Sequence, residues 1–315
     1  ISITGVGGLL FVLTITEHLS QECYRILIIK EKITLANFIL FIRSGVWCYL
    51  SVPLLYFQFI KLEQIFYLWL VFSAVSVVIG VIFIAKFESI SIYDFKIDIQ
   101  WLKRGIKTSF FFFLGTICLR VINYFDKVIA VHFITSPNLG VYVFFFGIAA
   151  AVQAIIDVLV VTRYYPSLVK AIQANDLVEA KKAFQIFKRK IFLYNFTLFA
   201  LSIPATYLMI KLTGKVEYAD HFLWYILIII ATSFLNMSMP YHYVLYSKKK
   251  DISIICINAV ALILFIITSF AGVELLPDSG MLAILIGLIG SNLFILMAKY
   301  NIFIKEFSGE GRHLN

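Results

Sequence analysis

Charge is scarce in this chain. Asp, Glu, Lys and Arg make up 14% of its 315 residues, against about 25% in a soluble domain. So small a stock cannot solvate a globular surface, and 61% hydrophobic residues with a mean hydropathy of +0.93 read as an integral membrane protein. Cysteine is equally sparse. Cys23, Cys48, Cys118 and Cys256 fall in or beside apolar runs, without a CxxC pair or a His at ligand spacing. They read as free core thiols, not as a disulfide framework or a metal site.

Catalytic signatures are missing too. The sequence has no phosphate-cradling Gly-rich loop, no HExxH, no GxSxG and no carboxylate cluster on an outer loop. The expectation is a protein that is not an enzyme and needs no cofactor or metal. Without an ATP site, transport would be driven by an ion gradient, the membrane potential or exchange. The net charge of +9 does not point to nucleic acid, because the cations are distributed as a membrane protein distributes them.

Apolar windows of about 19 residues predict an all-α polytopic bundle with nine spans, near 1–24, 36–60, 65–85, 108–134, 139–162, 191–210, 222–246, 252–272 and 280–298. Almost all Lys and Arg residues outside the spans lie on alternate connections. Only Lys61, Lys211 and Lys215 lie on the opposite side, and Arg43, Arg120 and Lys127 are inside spans. By the positive-inside rule the basic connections and the C-terminus are cytoplasmic. The outer connections, KLEQ, SPN, KLTGKVEYAD and GVELLPDSG, are too short for an external catalytic domain. The longest inner connection carries apolar residues among charges from Pro166 to Lys190, which predicts an amphipathic helix on the inner leaflet. Residues 87–107 alternate apolar and polar residues ahead of a basic cluster and read as interfacial as well. The run ISITGVGGLLFVLTIT begins at Ile1 without an initiator Met or basic n-region. It is no signal peptide, and the reading is of a fragment that continues upstream.

Ionisable groups inside spans cost about 2.5–3.5 kcal/mol each on insertion scales and mark functional positions. The stretch Ser109–Ser136 carries three: Arg120, Asp126 and Lys127. At 100° per residue Arg120 and Lys127 project within about 20° of each other, with Asn123 and Tyr124 between them, which makes a polar stripe roughly 10 Å long. Asp126 is turned away from Arg120 and calls for a partner on another span. Glu17, Arg43 and Asp157 are the remaining intramembrane candidates, and His132 and His242 lie near span ends. Each of these also has a bland alternative as a helix-locking or snorkelling residue. Gly147 with Ala149, Ala150, Ala151 and Ala154 predicts a close-packing face on the fifth span. Pro53, Pro204 and Pro240 predict kinks.

The segment NYFDKVIAVHFITSPNLGVYVFFFGIAAAVQAI (123–155), followed by RYYPSLVKA (163–171), resembles the hairpin of polysaccharide-lipid flippases. These belong to the multidrug/oligosaccharidyl-lipid/polysaccharide exporter superfamily and move undecaprenyl-diphosphate-linked O-antigen or capsule repeat units. The resemblance implies a two-lobe, twelve-helix-type exporter of the bacterial inner membrane, serving lipopolysaccharide and other polysaccharide biosynthesis. Residues 1–107 would be the remainder of the first lobe and inner linker, and 108–315 the second lobe with its inner segment 166–190 and cytoplasmic tail. It implies Arg120, Lys127, Arg43, Asn123 and Tyr124 as substrate contacts, and Asp126, Asp157 and Glu17 as groups that couple a proton or sodium ion. The implied partners are the lipid-linked oligosaccharide, the bilayer and that ion, and no nucleic acid. A drug or cation exporter of the same superfamily is the nearest alternative. A membrane polymerase or glycosyltransferase is the next, disfavoured by the short outer connections.

Overall fold

The computed structural model describes residues 3–30, 32–88, 98–133, 135–275 and 280–310, with the exception of the side chains of residues 3–6, 88, 107–108, 111–112, 133, 136, 216 and 306–310. Among the described residues every element is helical and there is no strand. That is the form that satisfies backbone hydrogen bonds within one apolar segment. Residues 89–97 of the inner connection expected to be interfacial lie outside the described residues. The chain divides into two compact units, Ile1–Ile97 and Asp98–Asn315.

The first unit contains α1 (Ile3–Ile29), α2 (Ile33–Phe41), α3 (Trp47–Tyr56) and α4 (Ile65–Glu88). A π-helical turn, Ile42–Val46, joins α2 to α3, so Ile33–Tyr56 is one continuous span. α1 packs on α4 and α2. The approach of α1 to α4 depends on Gly80, where an added Cβ would come within 2.7 Å of the Cys23 Cβ. Beside it the Ser20 and Ser76 hydroxyls share a 2.7 Å hydrogen bond. Small residues and short polar links of this kind hold helices together where lipid offers no hydrophobic drive.

The second unit contains α5 (Ile99–Phe133), α6 (Ser136–Ile156), α7 (Thr162–Gln173), α8 (Leu177–Thr213), the short α9 (Val216–Asp220), α10 (Phe222–Met237), α11 (Met239–Ser247), α12 (Asp251–Leu275) and α13 (Gly280–Glu310). A second π turn, Asp157–Val161, links α6 to α7. α13 packs on α12, α10 and α5, and around it the core buries Tyr142, Phe145, Phe187, Tyr225 and Phe265. Polar links again cross between helices. Tyr225 Oη donates to Ser202 Oγ at 2.7 Å, Asn236 Nδ2 to Asn195 Oδ1 at 3.0 Å and Asn292 Nδ2 to the Ala231 carbonyl at 3.0 Å.

One sequence expectation is met in part and two change. Over the described residues, seven segments are long and apolar enough to cross a membrane, where nine spans were expected; α1 and α5, parts of whose side chains are not described, are outside that number. The segment expected as one leaflet-bound amphipathic helix folds as a hairpin instead. α7 extends the α6 span to make a run of 37 residues, Pro137–Gln173, and α8 is itself 37 residues long. At about 1.5 Å per residue each run is about 55 Å, well beyond a hydrocarbon core of about 30 Å. The hairpin turns through Asn175 at φ 55°, and Asp176 caps α8 by accepting from the Glu179 N–H at 2.9 Å. Of the apolar residues meant for lipid, Leu168, Ala180, Phe184 and Phe187 are buried within the unit, Ile172 is half-buried and Leu177 is exposed. Finally, of the face expected to pack closely, Ala149 is buried, but Gly147 meets nothing within 4 Å, and Ala150, Ala151 and Ala154 are exposed. The close approach lies between α12 and α13, where a Cβ on Gly272 would stand 2.8 Å from the Ala283 Cβ.

Candidate functional site

The first unit gathers its intramembrane charges into one cluster. Arg43, carried on the π turn, points its Nε at Glu17 Oε2 across 3.5 Å and donates from its guanidinium to Gln21 Oε1, both on α1. Trp69 Nε1 on α4 donates to Glu17 Oε1 at 2.8 Å, and Trp69 stacks on Trp47 with ring centroids 5.0 Å apart. Arg43 and Glu17, expected as a substrate contact and an ion-coupling group, are therefore paired with each other. A π turn widens the helix by one residue, and the two charges meet across it.

The second unit answers the question posed by Asp126. Its carboxylate is fully buried and accepts a hydrogen bond from the Tyr142 hydroxyl on α6, a partner from another helix as expected. A second partner is its own neighbour. Lys127 Nζ lies 3.1 and 3.2 Å from the two Asp126 oxygens, donates to the Asn123 carbonyl at 2.8 Å and sits 3.6 Å from the Phe146 ring centroid. Lys127 thus curls back onto its own helix and is not a free cation in line with Arg120. The reason is energetic, since a carboxylate with no exposure demands a counter-charge and the adjacent lysine is long enough to reach it. Tyr124 is exposed, and Asn123 is half-buried and meets this pair through its backbone carbonyl.

Arg120 is exposed and stands within electrostatic range of Asp157, the first residue of the second π turn. Asp157 in turn lies within range of Tyr243 on α11, whose ring stacks on Tyr165 at 4.6 Å. Tyr243 leads into a cavity of about 200 Å³ between α5, α11 and α12, lined also by Thr116, His242, Tyr246, Asp251 and Asn258. Three polar atoms in that lining are buried without a hydrogen-bond partner: His242 Nδ1, Asp251 Oδ1 and Asn258 Oδ1. The Asn258 amide is oriented by donating from Nδ2 to the Gly115 carbonyl at 3.1 Å.

Beside His242 lies Lys299 of α13, only 1% exposed, close enough for the charges to interact. Among the described residues Lys299 has no ion-pair partner. A buried ammonium without counter-charge costs several kcal/mol. Lys299 does not itself line the cavity but stands next to His242, whose Nδ1 is one of the cavity's three unpartnered polar atoms, so the lining can take up a strongly polar group.

Sequence reasoning missed Lys299, Asp251 and Asn258 and gave His242 little weight. Lys299 was assigned to the cytoplasmic tail because the apolar window ends at 298. The run ILMAKYNIFI was the available signal, since apolar residues on both sides of a lysine let the helix carry it inward. Among the described residues no three His, Cys, Asp or Glu side chains come together as a metal site. Compared with known proteins, the chain matches no family model, no curated protein and no solved structure.

Proposed function

We propose that this chain belongs to a bacterial inner-membrane exporter that flips an anionic, undecaprenyl-diphosphate-linked oligosaccharide by alternating access between two helical lobes, driven by an ion gradient or the membrane potential. The observation that carries this reading is the buried Lys299, with no ion-pair partner among the described residues, next to His242, which lines a cavity with Tyr243, Tyr246 and two further unpartnered acceptors, Asp251 Oδ1 and Asn258 Oδ1. A diphosphate supplies the missing charge, and tyrosine faces suit sugar rings. The cavity adjoins the 248–250 connection, KKK, so the positive-inside rule puts its access on the cytoplasmic side, where a lipid-linked precursor is made. In this reading Asp126 and Asp157 are the ion-coupling candidates, the Glu17–Arg43 pair fixes the first unit, and the protein is a transporter rather than a polymerase.

The test is export in cells. Lys299→Met and Arg120→Ala, each placed in the complete gene and scored for surface polysaccharide in a deletion strain, should each abolish polymer while the protein stays in the membrane. Normal polymer from both would remove the reading. One observation favours a second reading, a drug or cation exporter of the same superfamily: Asp251 Oδ1 and Asn258 Oδ1 offer unpartnered acceptors to the cavity. Asp251→Asn distinguishes the two, since a cation exporter loses drug resistance while a flippase keeps its polymer.

A further inference from the structure

On the exposed surface of the second unit α8 carries a face that changes character along its length. Gln185, Lys188, Arg189 and Phe192 follow the i, i+3, i+4, i+7 spacing of one helix face, and all four are exposed. Lys188 and Arg189 stand at the mouth of a trough of about 370 Å³ whose floor is Ile191, Met237 and Leu296 from α8, α10 and α13. Phe192 forms its wall one turn further along, roughly 6 Å deeper by helical rise. Neither cation has an ion-pair partner among the described residues, whereas Lys182, one turn before Gln185, is paired with Glu179 at 3.7 Å.

We propose that this trough is a binding site for an anionic phospholipid of the bilayer, with the phosphate headgroup held by Lys188 and Arg189 and one acyl chain lying along Phe192, Met237 and Leu296. The charge at the mouth is of the sign that an anionic headgroup neutralises, and the apolar floor begins where the acyl chain would. A zwitterionic lipid fills the same floor without neutralising the pair. A soluble phosphate meets the pair and leaves the floor to water. Basic clusters between helices at a membrane surface recognise anionic headgroups on these terms, and each cation there is worth about a fivefold change in affinity at low salt.

The experiment uses the full chain in detergent micelles, titrated with phosphatidylglycerol or phosphatidylcholine of identical acyl chains and read by native mass spectrometry. Phosphatidylglycerol should bind with clear preference. Lys188→Gln with Arg189→Gln should reduce that preference by about 30-fold, twice the single-cation effect on a logarithmic scale, and leave phosphatidylcholine binding in place. Met237→Trp, which fills the trough, should weaken both lipids. Lys181→Gln with Lys182→Gln, one to two turns away on the same helix, should change nothing. Equal binding of the two lipids, an unchanged preference in the Lys188/Arg189 variant, or an equal loss from the Lys181/Lys182 variant would each overturn the site. Circular dichroism melting verifies the fold of every variant. Should the double variant not fold, Arg189→Gln alone and Met237→Trp decide the matter.

Discussion

Tyr142 on α6 donates its phenolic hydrogen to the wholly buried carboxylate of Asp126 on α5. The bond ties the two helices of the hairpin across a gap of sixteen residues in sequence and adds to what Asp126 takes from Lys127, whose backbone N–H donates at 2.7 Å and whose ammonium lies at 3.1 Å. Removing the hydroxyl strands part of a buried carboxylate, whose desolvation costs about 1–3 kcal/mol. Tyr142→Phe should therefore lower the stability of the second unit by that amount, measured as a fall in the melting temperature of the purified protein. Asp126→Leu combined with Tyr142→Phe should recover part of it, because the two apolar groups leave no polar atom orphaned between the helices and only the partly exposed Lys127 ammonium loses its partner. An undiminished melting temperature in Tyr142→Phe would refute the role of the bond.

Lys299 behaves oppositely if its purpose is function. A buried cation that has no partner contributes no net stability, and replacing buried charges by apolar residues of similar volume is often neutral or stabilising by about 1–4 kcal/mol. Lys299→Met should keep or raise the melting temperature and abolish polysaccharide export. A large drop in stability would show instead that the lysine holds the bundle together.

Glu17 and Arg43 form a local ion pair that also engages Gln21 and Trp69. Each single substitution, Glu17→Gln or Arg43→Gln, should destabilise the first unit, and the double substitution should cost less than the sum. The expected coupling is about 0.5–3 kcal/mol, the range for residues in one polar network. Additive effects in a double-mutant cycle followed by chemical unfolding would mean that the pair is not energetically real.

Glycines in two helices should respond differently to the same change. Gly80→Ala brings a Cβ within 2.7 Å of Cys23, and overpacking of this kind costs about 1–3 kcal/mol. Gly147→Ala meets open space and gains helix propensity of about 1 kcal/mol. Melting temperatures of the two variants should move in opposite directions, and a destabilised Gly147→Ala would contradict the packing of α6.

Much of the fold was legible in the sequence, because composition and apolar run length report directly on the solvent a helix occupies. The turns between long helices, the scarcity of soluble-type charge and the choice of Arg43, Glu17, Arg120, Asp126, Lys127 and Asp157 as intramembrane residues worth explaining all follow from one-dimensional patterns. What those residues do with one another did not. Helical periodicity aligned Lys127 with Arg120, yet a lysine side chain is long and flexible, and the buried Asp126 beside it outweighs the alignment. The hairpin of α7 and α8 was hidden for a similar reason, since an amphipathic face buried on protein and one buried in lipid have the same sequence.

By itself the sequence determined an all-helical, apolar chain with its cations gathered on alternate connections, since those properties depend on each residue's own chemistry and the helix period. Only the tertiary structure decided which charges are neutralised and which are left over. Arg43 found Glu17, Lys127 found Asp126, and Lys299, written into what reads as a tail, is enclosed beside His242 with no ion-pair partner among the described residues. Pairing depends on distances between helices remote in sequence, and no local pattern carries that information.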